Sequence, residues 1–105
     1  MRREPQNYAA HANLATALYE SKRYAEALPE YEWIVAAKPE IAVAHYFIAT
    51  AHDYLGEYPQ ALASYEKFLV EANAGTNQLE IDKVKLRLPS LRRQIQLGEG
   101  AKKKP

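Results

Sequence analysis

The stretch YAEALPEYEWIVAAKP, Tyr24 to Pro39, returns 34 residues later as YPQALASYEKFLVEAN, Tyr58 to Asn73. Sliding the chain against itself by that step also pairs Ala10 with Ala44, His11 with His45, Ala15 with Ala49, Thr16 with Thr50 and Ala17 with Ala51. Further along it pairs Tyr24 with Tyr58, Ala27 with Ala61, Leu28 with Leu62, Tyr31 with Tyr65 and Glu32 with Glu66. Self-similarity at such a period marks a repeat architecture, so it is read before local structure. Within each copy the rhythm is helical. Ala27, Leu28, Tyr31, Ile34 and Val35 share one face at 3.6 residues per turn, and His45, Ile48, Ala49 and His52 share another. No alternating strand pattern exceeds a few residues.

The breaks fall between these faces. ESKR at 20–23 and LGEY at 55–58 separate the two halves of each copy, with Gly56 free to end a helix in the left-handed conformation. Pro59 suits a first helical turn, and Pro39 biases Lys38 out of the helical region. The pattern predicts helices at 7–20, 24–37, 41–54 and 58–73, the second bent at Pro29. Gly75 then reads as a stop and Asn77 as a cap, with Glu80 three residues on. Ile81, Val84, Leu88, Leu91 and Ile95 keep one phase through Pro89, so a single fifth helix is predicted over 77–97. The organisation follows: an arm at 1–6, one repeat at 7–40, a second at 41–75, a capping helix at 76–97 and a disordered basic tail at 98–105.

These residues resemble the tetratricopeptide repeat family. Copy one carries Leu14, Ala15, Leu18, Tyr24, Ala27, Tyr31 and Pro39 where that pattern has Leu, Gly, Tyr, Tyr, Ala, Phe and Pro. Copy two carries Ile48, Ala49, His52, Gly56, Tyr58, Ala61 and Tyr65. His11 and His45 stand where the pattern's tryptophan stands, and Asn73 replaces the second closing proline. The resemblance implies an all-α, right-handed superhelix of antiparallel helix pairs. Its concave face, built by the first helix of each pair, would bind a protein or peptide, and no reaction is implied. On that register Asn13, Thr16, Tyr19, Glu20, Tyr46, Phe47, Thr50, Asp53 and Tyr54 line the groove. Family members that grip a terminal carboxylate use lysines and asparagines there. Glu20 and Asp53 would repel such a group, so an acidic-tail clamp is not expected.

Composition narrows the chemistry. The 105 residues include no cysteine, and the formal net charge is +1. Thiolate metal sites, disulfides and cysteine nucleophiles are therefore absent. The three histidines are the candidate bases or ligands. His45 and His52 are two turns apart with no third ligand placed beside them, which favours packing roles over zinc. No glycine-rich phosphate loop or nucleophile elbow is found. We expect no catalytic residue, no metal and no cofactor. Lys83, Lys85, Arg87, Arg92 and Arg93 spread around the fifth helix among Glu80 and Asp82, a solvated face rather than a nucleic-acid patch. No apolar run reaches the roughly 20 residues that span a bilayer, and no targeting segment is recognised, so neither nucleic acid nor membrane is an expected partner and the cytoplasm is the expected setting.

Two roles remain: a non-catalytic module holding a peptide in its groove, or a structural segment at the C-terminal end of a longer array. Three surfaces bear on the choice. The first helix, YAAHANLATALY, is apolar nearly all round and expects cover on every side, by docking onto something larger. Trp33, equivalent to Lys67, is expected to mark a second surface away from the groove. Leu79, Leu86 and Leu97 fall opposite the core stripe of the fifth helix, so Leu79 and Leu86 are expected to hold a weak homodimer or to meet the repeats of a parent protein.

Overall fold

The computed structural model describes residues 4–99, with the side chains of 4–7 outside the description. Five helices follow one another: α1 Glu4–Glu20, α2 Tyr24–Ala37, α3 Ala42–Tyr54, α4 Tyr58–Glu71 and α5 Ala74–Gln96. Among the described residues there is no strand. Each helix packs on the next in the chain, and α5 also reaches back to α3. This is an all-α solenoid of helix pairs.

Why the chain turns where it does is visible in the hydrogen bonds. After α1, Lys22 N–H donates to Tyr19 O at 3.0 Å and Arg23 N–H to Leu18 O at 2.8 Å. After α3, Gly56 N–H donates to Asp53 O at 3.0 Å and Glu57 N–H to His52 O at 2.9 Å. Both are Schellman closures, which satisfy helix-end carbonyls by putting one residue in the left-handed region. Gly56 takes φ 79°, and its repeat equivalent Lys22 takes φ 65°. Gly98, at φ 82°, closes α5 in the same way, with Glu99 N–H reaching Gln94 O at 2.9 Å. Gly98 and Glu99 thus belong to a helix terminus, and residues 100–105 of the expected tail lie outside the described residues.

The fourth helix ends at Glu71 rather than at 73, and two starts differ from expectation by three residues. The first helix begins at Glu4, so residues 4–6 of the expected arm are helical; residues 1–3 lie outside the description. The fifth begins at Ala74, capped by Asn73 rather than Asn77. Asn73 Oδ1 accepts from Gly75 N–H at 2.7 Å, while Asn77 Oδ1 accepts from Asn73 N–H at 2.9 Å. Gly75 therefore opens a helix instead of ending one. A Cβ there would sit 3.1 Å from Asn73 Oδ1, which explains the glycine. The backbone of α5 leaves helical geometry at Asn77, not at Pro89.

Two cores result, with α3 as their common wall. Ala44 and Ile48 of α3 join Ala15, Ala27, Tyr31 and Ile34 in the first. Ala42 and Ala49 of α3 join Ala61, Tyr65, Phe68, Ile81, Val84, Leu88 and Leu91 in the second. Ala15, Ala27, Ala49 and Ala61 have no exposed surface, because helices carrying alanine at the crossing can approach closely. The open side of α1 is the exception. Ala10, Leu14 and Ala17 are exposed, Leu14 at 46%, whereas their equivalents Ala44, Ile48 and Ala51 are buried, Ile48 at 6%. The chain by itself covers α1 on one side only.

Candidate functional site

Two of the hollows bordered by α1, α3 and α5 take in residues read from the sequence. The larger, about 360 Å³, lies between α3 and α5 and is lined by Tyr46, Thr50, Asp53, Tyr54, Tyr65, Lys83 and Arg87. The smaller, about 140 Å³, lies between α1 and α3, with Thr16 and Phe47 among its lining residues beside Tyr8, Ala12 and Tyr31. Repeat equivalence links them, since Thr16 matches Thr50 and Tyr31 matches Tyr65.

Of the residues read from the sequence, Tyr46, Thr50, Asp53 and Tyr54 meet at the larger hollow, and Thr16 and Phe47 at the smaller. Asn13 and Glu20 are exposed but line neither hollow. Tyr19 is consumed by packing. Its ring stands edge-on to Tyr24 at 5.2 Å and to Phe47 at 5.1 Å. Thr50 Oγ1 donates to Phe47 O at 3.1 Å and accepts from the Tyr19 hydroxyl at 2.8 Å. Burial pushes the Tyr19 phenol up to about 12. Tyr31 stacks on Phe47 at 5.4 Å, and burial pushes it likewise up to about 12. Tyr24 stacks on Tyr54 at 4.6 Å, and Tyr46 bridges Phe47 to Phe68 of the second core. The aromatic side chains thus form one continuous girder joining the two cores. Such rings offer contact area with few rotamers to freeze. Tyr54, at 66% exposure, is the one that reaches furthest into solvent at the larger hollow.

The electrostatics of that hollow differ from the sequence reading. Arg87 Nη2 donates to Asp53 Oδ1 at 2.6 Å and Arg87 Nε to Asp53 Oδ2 at 2.7 Å, a two-point pairing. Tyr65 O–H adds a third bond to Asp53 Oδ2 at 2.9 Å. Burial first, then the neighbouring Asp53 carboxylate, holds the Tyr65 phenol well above the usual tyrosine range. Its own hydrogen bonds to the Asp53 carboxylate push Arg87 up, and the guanidinium also lies 5.6 Å over the Tyr58 ring. Asp53 is therefore not a free acid in the groove, and Glu20 is outside the hollow. Lys83 is left as the cation facing the hollow without an ion pair among the described residues. Lys83, Arg87 and Tyr65 were the lining residues that the sequence reading missed. Their signal was the i, i+4 spacing of Lys83 and Arg87 on one face of α5, hidden among the three other cations of that helix.

His11, His52 and Trp33 are engaged in contacts within the chain. His11 stacks on Trp33 at 4.0 Å and its Nδ1–H donates to Glu30 Oε1 at 2.5 Å. Tyr8 lies 6.3 Å from the same indole. Trp33, half-buried, fastens α2 to α1. His52 Nδ1–H donates to Glu57 Oε1 at 2.7 Å across the turn after α3. His45 is pushed below the usual histidine range, by burial first and then by Lys67. Among the described residues no group of three His, Asp or Glu side chains is placed to hold a metal. None of their helices is long and apolar enough to cross a membrane.

Comparison with known proteins agrees with the geometry. The family model described as "Tetratricopeptide repeat" matches residues 1–40 and 13–76. A relative from Triticum aestivum, the Hsp70-Hsp90 organizing protein, is 37% identical over 65 residues. That match takes in 62% of this chain and only 11% of the relative's length. No solved structure matches. Two 34-residue helix pairs, the alanine crossings, the paired Schellman turns and the family match lead to one conclusion: the chain belongs to the tetratricopeptide repeat family, a family of protein–protein interaction modules.

Proposed function

We propose that the chain is a non-catalytic binding module that holds an extended segment of a partner protein along the concave face of α1, α3 and α5. The observation that carries this is the hollow between α3 and α5, where the exposed ring of Tyr54 and the half-buried ring of Tyr46 face Lys83 across about 360 Å³. With Asp53 neutralised by Arg87, the hollow favours a segment that sets an acceptor or acidic group on Lys83 and an apolar side chain against the tyrosines. The relative's name ties a protein with similar repeats to Hsp70 and Hsp90, so chaperone segments belong in the first set of partners to try, in a cytoplasmic setting.

The test starts from peptides selected against the purified chain from a random display library. Tyr54→Ala and Lys83→Ala should each weaken a selected peptide about tenfold, the loss of roughly 1.4 kcal/mol. Val70→Ser, an exposed change on α4 remote from the hollow's lining, should not. Peptides that bind all three variants equally would remove the groove from the proposal. A second reading, a structural segment packing on further repeats, is favoured by the open side of α1. It predicts that no peptide is selected by the groove at all.

A further inference from the structure

The two ends of the helix stack are unlike in shape and charge, and each is incomplete. At one end, Ala10, Leu14 and Ala17 of α1 form an exposed small–large–small ridge. The matching ridge of α3, Ala44, Ile48 and Ala51, is buried, with Ala44 and Ile48 packed in the core that α2 supplies. The fold therefore shows what this ridge is built to receive: an apolar helix face. At the other end, Leu79, Leu86 and Leu97 of α5 are exposed at 62%, 81% and 65%. They lie opposite the buried stripe of Ile81, Val84, Leu88 and Leu91, with Lys83 and Arg93 between them. An array end facing water is expected to be polar there.

The spacings match. Leu79 and Leu86 are seven residues apart, as are Ala10 and Ala17, and each interval rises about 10.5 Å along its helix. Two leucines can thus seat over two alanines with Leu14 between them. The charges match as well. Helix α1 carries two acidic side chains, Glu4 and Glu20, and no lysine or arginine, net −2, whereas α5 carries five basic against two acidic, net +3. A contact between two α5 helices, or between two α1 helices, would set like charge against like. A contact of α5 on α1 sets basic against acidic, with exposed Glu20 at the margin of the α1 ridge.

We propose that copies of this chain associate head to tail, the Leu79–Leu86 side of α5 seating on the Ala10–Leu14–Ala17 ridge of the next copy. Because the two patches differ, the contact is heterologous and continues the solenoid from one copy into the next, as an open chain or a closed ring. Lys83 lies between Leu79 and Leu86 and also lines the α3–α5 hollow, so the contact runs along one rim of the groove.

Sedimentation velocity on the wild type and two double variants tests this. The wild type should grow beyond a dimer as concentration rises through tens to hundreds of micromolar, and less so at high salt. Leu79→Glu with Leu86→Glu should be monomeric alone, and so should Ala10→Glu with Ala17→Glu. Mixed in equal amounts, the two variants should form a one-to-one dimer, because one keeps its ridge and the other keeps its leucines. All four positions are exposed, so helicity should survive; if circular dichroism shows loss, Leu86→Glu and Ala17→Glu alone make the same test. A wild type monomeric throughout would overturn the proposal and leave the ridge to a further repeat. A dimer that plateaus and survives the α1 changes would overturn it in favour of α5 pairing on α5. A mixture that stays monomeric would overturn it outright.

Discussion

Helices α1 and α3 are two printings of one sequence pattern, and the fold treats them differently. Both place a small residue, Ala15 or Ala49, at a fully buried crossing. On α3 the other side is closed by the preceding pair, so Ile48 is buried. On α1 no described helix closes that side, and Leu14 stands half in water. The difference teaches that in a repeat protein burial belongs to the interface between units rather than to the residue, and stability is a sum over neighbours.

The largest effect that would break this comparison is a pair of equivalent truncations. Ile48→Ala should cost about 2–4 kcal/mol in urea unfolding, as large-to-small changes in a packed core do. Leu14→Ala should cost less than about 1 kcal/mol in a monomer. Equal costs would mean that the open side of α1 is not open in solution, a result that self-association at high concentration would also produce.

A smaller effect sharpens the contrast between the two inter-repeat junctions. At the first, Tyr19 fills the space with its ring and bonds Thr50. At the second, its equivalent Asp53 takes a charge-paired arginine and the Tyr65 hydroxyl. Arg87→Ala leaves a largely covered carboxylate with two of its three hydrogen bonds gone, and should cost about 1–3 kcal/mol. Arg87→Lys, unable to donate at two points, should recover only part of this. Full recovery would show that charge alone, not the two-point geometry, holds α5 to α3.

The equivalent turns offer the next contrast. Lys22 and Gly56 share the left-handed conformation, which costs a side-chain-bearing residue about 1–2 kcal/mol. Lys22→Gly should therefore stabilise the chain by up to about 1 kcal/mol after its greater unfolded-state freedom is set against it, and Gly56→Ala should destabilise by a similar amount. Thermal midpoints moving the same way in both variants would contradict this.

The smallest effect is in pH. His45 in the folded chain lies below its ordinary value of 6.5. The unfolded chain then takes up its proton first as pH falls, so this residue's contribution is fully present above that value and is lost as pH drops through the lowered folded one. Stability should decline between neutral and mildly acid pH, and His45→Asn should flatten that decline. An unchanged slope would assign the decline to other groups.

Much of the fold was legible because its signals are local. A 34-residue period, 3.6-residue stripes, and alanines at 15, 27, 49 and 61 name the helices and their crossings without reference to anything distant. The terminal boundaries were less legible. Asn73 and Asn77 are equally good caps by type, and only the bonds that form, Gly75 N–H to Asn73 Oδ1 and Asn73 N–H to Asn77 Oδ1, decide which one opens α5. At the candidate site, the α3 tyrosines and Thr50 followed from register, whereas Lys83, Arg87 and Tyr65 did not, because three helices converge there.

What the sequence by itself determined, then, is a pair of tetratricopeptide units and a capping stripe, since helical periodicity and close-approach alanines act over a few residues. What only the tertiary structure decided is how each residue's charge and apolar surface are spent. Asp53 becomes a paired structural acid because Arg87, 34 positions away, is brought within 2.6 Å of it. Leu14 remains exposed where Ile48 is buried because cover depends on which helix arrives alongside, and that is a property of the packed array rather than of either residue.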